Sequence, residues 1–393
     1  MATAITRSFA AVLVVLAAAS LGNAQVLDSL ALTYDDGNGN TMPYRLYLPP
    51  DWDAPGASYP LVVHLHGAGE RGTNNTSQLL YIGGLIEEVR TDNPSFLMVP
   101  QAAPGERWDA LGSPDLSLSG RLVTEIIASL ETQYQIDTTQ RYATGLSLGG
   151  FGTWDLIGKR PDLFAKAFPL SGFGDPAKAN EYLDTEIWTF HGNGDTVVPV
   201  VPKRETVDAI RIAGGDPLYS EVNGGHGIWT PIYDDPIGEL YDWVFDGVQP
   251  QLADFQYDPA TGTVRIDASQ APGGSIDIFS FAVNRLDVLT VPDTVFVDGI
   301  AVPSDEFFLS TNRISIDYNK RTEGGFDGVV EIPGLLPAGL DFLGLSDITS
   351  RQFYFSPQTG DNRRAFNLIA IPEPTGVLLT LVGFGAIAGL KRC

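Results

Sequence analysis

The pentapeptide Gly145-Leu146-Ser147-Leu148-Gly149 constrains this chain more than any other stretch. A serine with glycine two residues to either side suits a sharp strand-to-helix turn. Small residues let the backbone bend while the hydroxyl stands exposed. The pattern alone carries little weight in a chain with 43 glycines among 393 residues. Its surroundings carry more. Gln140-Arg141-Tyr142-Ala143-Thr144 before it reads as a strand, and Gly149-Gly150-Phe151-Gly152-Thr153-Trp154-Asp155-Leu156 after it reads as a helix entered through small residues.

From about residue 27 to 247 the pattern alternates between strand and helix. Pro60–His66 and Phe96–Pro100 are nearly unbroken apolar runs, as expected of parallel strands covered on both faces. Ser117–Tyr134 has helical apolar spacing through Leu122, Ile126, Ile127 and Leu130. Further strands are expected at Phe164–Leu170 and Ile187–His191, and helices at Val207–Ala213 and Ile237–Phe245. The alternation predicts an α/β fold with a mostly parallel sheet and helices on both faces. After Gly247-Val248-Gln249-Pro250 the character changes to short strands separated by Pro, Gly, Asp and Asn. Thr263–Asp267, Ile276–Val283, Thr294–Val297, Arg313–Asp317 and Phe366–Ile369 suggest a smaller all-β, sandwich-like domain.

Both ends read as processing segments. Residues 1–24 carry one charge, Arg7, then an apolar run from Phe9 to Leu21 and small residues before Gln25, the pattern of a signal peptide. At the other end Ile371-Pro372-Glu373-Pro374 precedes an apolar run from Thr375 to Leu390 and the basic tail Lys391-Arg392-Cys393. As a helix that run would span about 24 Å. The expected division is therefore 1–24 signal, 25–248 α/β domain, 249–370 β-rich domain and 371–393 sorting segment. The formal charge of −24 argues against nucleic acid and anionic membrane surfaces as partners. Cys393 is the only cysteine, so no internal disulfide is expected in a protein that leaves the cytoplasm.

A serine hydroxyl needs a base, and the base an orienting acid, to act as a nucleophile. Among four histidines, His226 alone follows a plausible acid near the end of the α/β region, in the glycine loop Gly224-Gly225-His226-Gly227. Asp195, in a tight loop after the strand ending at His191, is the expected acid; Asp184, Asp216, Asp234 and Asp235 are its rivals. His191 is expected to bind backbone at its strand end. The oxyanion donors should be the N–H groups of Leu148, the residue after the serine, and Ala68, in His66-Gly67-Ala68-Gly69. Glu70 and Arg71 are candidates to pair and brace that turn. Trp108 and Trp229 are candidates to line an acyl or aromatic pocket. His64 and His66 have no ligand cluster beside them in sequence, so neither metal nor cofactor is expected. Asp36-Gly37-Asn38-Gly39-Asn40 lacks the full calcium-loop pattern and reads as a hairpin turn.

His66-Gly67-Ala68-Gly69-Glu70-Arg71-Gly72, the preceding Pro43–Pro49, Pro100-Gln101, the serine turn, the Gly194-Asp195-Thr196-Val197-Val198-Pro199 loop and Gly225-His226 with Trp229 occur in order. This series resembles the secreted carboxylesterase/predicted peptidase branch of the α/β-hydrolases, similar to dienelactone-hydrolase, polyhydroxybutyrate-depolymerase and feruloyl-esterase types. One departure is Gly227, where that branch often has a polar residue such as Asn. The resemblance implies an ester substrate, polysaccharide-linked or polymeric, cleaved with Ser147, Asp195 and His226 as a triad, and Gln101 joins Trp108 and Trp229 as a substrate contact. The same triad serves a serine peptidase, and a surface or matrix-binding protein with secondary catalysis is the third reading. The carboxy-terminal triplet, apolar run and basic tail resemble a PEP-CTERM sorting signal. It implies an exosortase-type partner, transient membrane insertion and delivery to the cell envelope, cell surface or exterior.

Overall fold

The computed structural model describes residues 29–250, except 193, 223 and 236–238, and beyond them the strands given below with a few adjoining turn residues. The expected signal and sorting segments lie outside the described residues. Among the described residues no helix is long and apolar enough to cross a membrane. The chain divides into two compact units. One is the chain to Pro217 with Gly224–Val248; the other is Leu218–Asn223 with the chain from Gln249.

The first unit is built on strands β1 (Ser29–Asp35), β2 (Thr41–Tyr47), β3 (Tyr59–Leu65), β4 (Phe96–Pro100), β5 (Ile136–Leu146), β6 (Lys166–Leu170) and β7 (Glu186–Gly192). Their order is β1-β2-β4-β3-β5-β6-β7. β1 and β2 form an antiparallel hairpin, and β2 pairs antiparallel with β4. From β4 to β7 every pairing is parallel. β4 is buried along its whole length and β3 from Leu61 to Leu65, which is why they read as apolar runs instead of alternating ones. The turn at Asp36 is the expected hairpin, tied by Asp36 Oδ1 accepting from the Asn38 and Asn40 N–H groups.

Five helices matter for the site: α1 (Gly83–Thr91), α2 (Leu118–Gln133), α3 (Leu148–Lys159), α4 (Val201–Ile212) and α5 (Trp229–Asp234). α2 buries Leu122, Val123, Ile126, Ile127 and Leu130, the stripe its spacing calls for. Ser117 caps it, accepting from Gly120 N–H at 2.9 Å and donating to the Trp108 carbonyl at 2.6 Å. α4 starts six residues before the expected Val207, because Pro202 near its first position suits a helix start. α5 is pinned to the sheet by Tyr233, whose hydroxyl is 2.9 Å from Thr144 Oγ1. α1 crosses α5 at Gly84, where a Cβ would stand 2.6 Å from the Asp234 Cα. Only glycine admits that approach.

In the second unit, β8 (Leu218–Val222) pairs antiparallel with β18 (Asn362–Arg364). β18 continues through β17 (Tyr354–Pro357), β11 (Ile276–Ala282), β15 (Arg313–Asp317) and β14 (Phe308–Ser310). A second sheet runs β13-β12-β16-β10-β9-β19, comprising Ile300–Pro303, Thr294–Val297, Val329–Ile332, Thr263–Asp267, Asp254–Asp258 and Asn367–Ala370. Its described residues beyond 250 are strands and turns, as the Pro- and Gly-punctuated pattern indicates.

Lys203 on α4 is wholly buried in the first unit. Its amine donates to Thr189 Oγ1 and lies 5.0 Å from the Trp154 ring centroid. Burial holds its pKa well below the usual 10.5. The unfolded chain therefore binds this proton at pH values where the folded chain has released it, so this residue makes stability rise with pH up to about 10.4. Lys203→Met should melt higher than the wild type at pH 7, with the difference shrinking toward pH 10. Thermal denaturation across that range checks it; a pH-independent difference would contradict it.

Candidate active site

Ser147 stands between β5 and α3 with φ 52° and ψ −114°, a left-handed backbone that a non-glycine residue rarely adopts. Two hydrogen bonds hold it there. Its N–H donates to the Leu170 carbonyl at 3.0 Å, and its carbonyl accepts the first helical bond from Phe151 N–H at 3.1 Å. The flanking glycines are required by contact. A Cβ on Gly145 would stand 2.5 Å from the Gly149 carbonyl oxygen, and one on Gly149 would collide with the Leu65 carbonyl. The helix thus enters directly against the sheet, and the hydroxyl is lifted off it.

Asp195 and His226 arrive on two loops laced together by the Gly194 N–H donating to the Gly224 carbonyl at 2.8 Å. Asp195 Oδ1 accepts from the Val197 and Val198 N–H groups, each at 2.9 Å. Its Oδ2 is 2.7 Å from His226 Nδ1. His226 Nε2 is in turn 2.8 Å from Ser147 Oγ. Burial raises the Asp195 pKa, but the bonds from His226 and the two N–H groups outweigh it and hold the carboxyl below the usual range. It is therefore ionised at neutral pH, which requires the proton on His226 Nδ1 and leaves Nε2 free to accept from serine. The structure brings together the three side chains expected from sequence.

His191 touches the same carboxylate. Its Nε2 lies 2.9 Å from the Val198 carbonyl, the expected backbone contact, and 3.3 Å from Asp195 Oδ2. Burial first, then the nearby Lys203, push its pKa down to about 4, so it is neutral and donates through Nε2. Ser171 was not legible as a site residue. With φ 48°, it donates from Oγ to the His226 carbonyl at 3.1 Å and supports the histidine loop from the end of β6.

Ala68 and Leu148 leave neighbouring strands at the same level, since Leu65 on β3 pairs with Gly145 on β5. Each is the first residue of a helical turn, Ala68 in the short 3-10 turn Ala68–Glu70 and Leu148 in α3. Such N–H groups have no acceptor within their own helix. The Ala68 turn is braced from beneath. His66 Nδ1 donates to the Gly67 carbonyl at 2.6 Å, and its Nε2 accepts from Ala102 N–H at 3.0 Å. Burial lowers the His66 pKa to about 4, consistent with this neutral tautomer. Glu70 is buried, which raises its carboxyl pKa, and the neighbouring backbone of Gly67 and Glu70 partly offsets that rise.

Two expected substrate contacts are scaffold instead. Trp108 is 1% exposed, with its indole N–H donating to the His66 carbonyl at 2.9 Å. Gln101 is fully buried, and its amide is used by Asn75 N–H, the Glu70 carbonyl and Asn74 Oδ1 at 2.7, 2.9 and 2.9 Å. Both side chains are committed beneath the loop and have no face toward a ligand. Trp229 differs. It is half-buried, with its ring edge-on to His226 at 5.1 Å and 90°. Among the described residues no group of three or more His, Cys, Asp or Glu side chains is placed to hold a metal.

Residues 38–217 match a family model described as putative esterase. The crystal structure of a thermostable esterase is similar at 37% identity, covering 56% of this chain and 64% of that one with a TM-score of 0.53. A bifunctional acetylxylan esterase/xylanase of Neocallimastix patriciarum is 27% identical over 141 residues, 35% of this chain and 20% of that protein. The chain thus spans about a fifth of that curated relative. The first unit, with its parallel sheet, serine turn and histidine loop, has the α/β-hydrolase fold.

The left-handed Ser147 gives a stability test. Ser147→Gly should be roughly 1 kcal/mol more stable than Ser147→Ala, since only alanine keeps the backbone strain. Urea unfolding of the two variants measures the difference; equal stabilities would mean the turn is unstrained.

Proposed function

We propose that the protein is an exported serine hydrolase that cleaves carboxylic esters through an acyl-enzyme. The observation that carries this reading is the continuous hydrogen-bonded run from Ser147 Oγ through His226 to ionised Asp195, at 2.8 and 2.7 Å. His226 Nε2 takes the serine proton as Oγ attacks the ester carbonyl. Asp195 holds the tautomer and offsets the imidazolium charge. The N–H groups of Ala68 and Leu148 receive the oxyanion. Collapse breaks the carbon–oxygen bond to the alcohol, which leaves with the proton from His226. Water then repeats the sequence and releases the acid. The chemistry needs no cofactor.

The matching family and the thermostable esterase support ester cleavage. The acetylxylan esterase relative supports a polysaccharide-linked ester as substrate. The amino-terminal segment and the PEP-CTERM-like tail support export to the envelope, surface or exterior, with an exosortase-type enzyme as the sorting partner. The β-rich unit serves as an accessory module.

Ser147→Ala should lose labelling by a fluorophosphonate probe and lower kcat on 4-nitrophenyl acetate by about 10³-fold or more, while remaining folded. Retained turnover would refute the assignment. Ala68→Pro removes one oxyanion donor at a position proline can occupy. Gly67 before it is extended at φ −75°, ψ 179°, and Ala68 opens a helical turn. Its kcat should fall by about 10² to 10³ with an unchanged melting temperature; a wild-type kcat would remove Ala68 from the oxyanion site.

A further inference from the structure

We propose that Tyr81 and Trp229 form a subsite for the leaving alcohol, one that takes an alcohol carrying a flat apolar ring face. This rests on the ester-hydrolase reading above. Trp229 opens α5 three residues after His226, and its ring stands edge-on to the imidazole at 5.1 Å. Tyr81 lies against the same indole, with ring centroids 5.6 Å apart at 57°. It is 45% exposed, and Leu80 beside it is 52% exposed. Two adjacent apolar side chains open to solvent beside Trp229 offer an apolar surface to a ligand.

The pair is built, not incidental. Tyr81 has φ 72°, a strained backbone for an aromatic residue. The turn before it is fixed by Asn74 Oδ1 accepting from Thr76 and Ser77 N–H at 3.1 Å each, and by Leu80 N–H donating to the Ser77 carbonyl at 3.1 Å. Gln101 ties that turn to the Glu70 carbonyl, so Tyr81 and the Ala68 turn share one support. On the other side, the tight crossing at Gly84 fixes α1, which begins two residues after Tyr81, against α5, which begins at Trp229.

The reaction decides which half of the ester meets this surface. The proton taken from Ser147 returns from His226 Nε2 to the departing alkoxide, so the alcohol oxygen must come within hydrogen-bond reach of Nε2. The group carried on that oxygen then lies beside the imidazole, the ring that Trp229 contacts at 5.1 Å. The carbonyl oxygen points away, to Ala68 and Leu148. Aromatic side chains favour flat apolar faces, which both a phenyl ring and the C–H face of a pyranose offer.

The test keeps the acyl group constant and varies the alcohol. Wild type, Trp229→Ala, Tyr81→Ala and Tyr81→Phe are assayed on ethyl acetate, phenyl acetate and a mono-O-acetyl methyl xyloside. Both alanine variants should lose tenfold or more in kcat/KM on a ring-bearing ester and less than threefold on ethyl acetate, with Tyr81→Phe near wild type. The ester showing the larger loss identifies the ring, aryl or pyranose. Because all three substrates share the acetyl-enzyme, a deacylation-limited kcat should not change. Equal losses on all three alcohols would overturn the subsite and leave Trp229 as a support for His226. Wild type that takes no ester and no fluorophosphonate label would instead overturn the hydrolase reading itself, and the subsite with it.

Discussion

The site depends on one close approach, the contact of the Gly149 backbone with the Leu65 carbonyl at the tops of β3 and β5. Because nothing larger than hydrogen fits there, α3 begins directly against the sheet. Ser147 is then forced into a left-handed turn with its hydroxyl outward. The same approach sets the first turn of α3 level with the Ala68 turn. The proposed nucleophile and the proposed oxyanion donors therefore follow from one packing constraint. A side chain at Gly149 would move all of them together.

The proposed acid and base are placed by a different means. Their loops are irregular, and polar contacts hold them. Two backbone N–H groups and His226 fix the Asp195 carboxylate, Gly194 links the acid loop to the histidine loop, and Ser171 holds the His226 carbonyl. His191 adds a second imidazole, kept neutral by burial and by Lys203. A neutral ring can accompany the carboxylate without competing for its charge, which stays directed at His226.

Beneath the Ala68 turn lies a layer of committed polar side chains. His66, Gln101 and the Trp108 indole each satisfy backbone groups of loops that have no regular secondary structure to do so. Their polarity suggests chemistry when read along the chain. In three dimensions their hydrogen-bonding capacity is spent on the scaffold. Trp229 escapes this fate because it opens a helix beside the histidine loop, where its ring meets the imidazole in an edge-on contact and lies tilted against Tyr81.

The sequence by itself determined the α/β alternation and the parallel core strands, and it singled out Ser147, Asp195 and His226 as the expected triad. These follow from apolar runs, from glycines placed where backbone must approach backbone, and from the scarcity of histidine. Tertiary structure decided what local pattern does not encode. Burial turned Trp108 and Gln101 from expected contacts into supports. Strand adjacency delivered Ser171 to the His226 carbonyl from a distant β6 end. The crossing of α1 and α5 put Tyr81, 148 residues from Trp229 in the chain, against its ring. Periodicity reports which face of an element is apolar. It does not report which distant element covers that face, and each of these differences depends on that choice of neighbour.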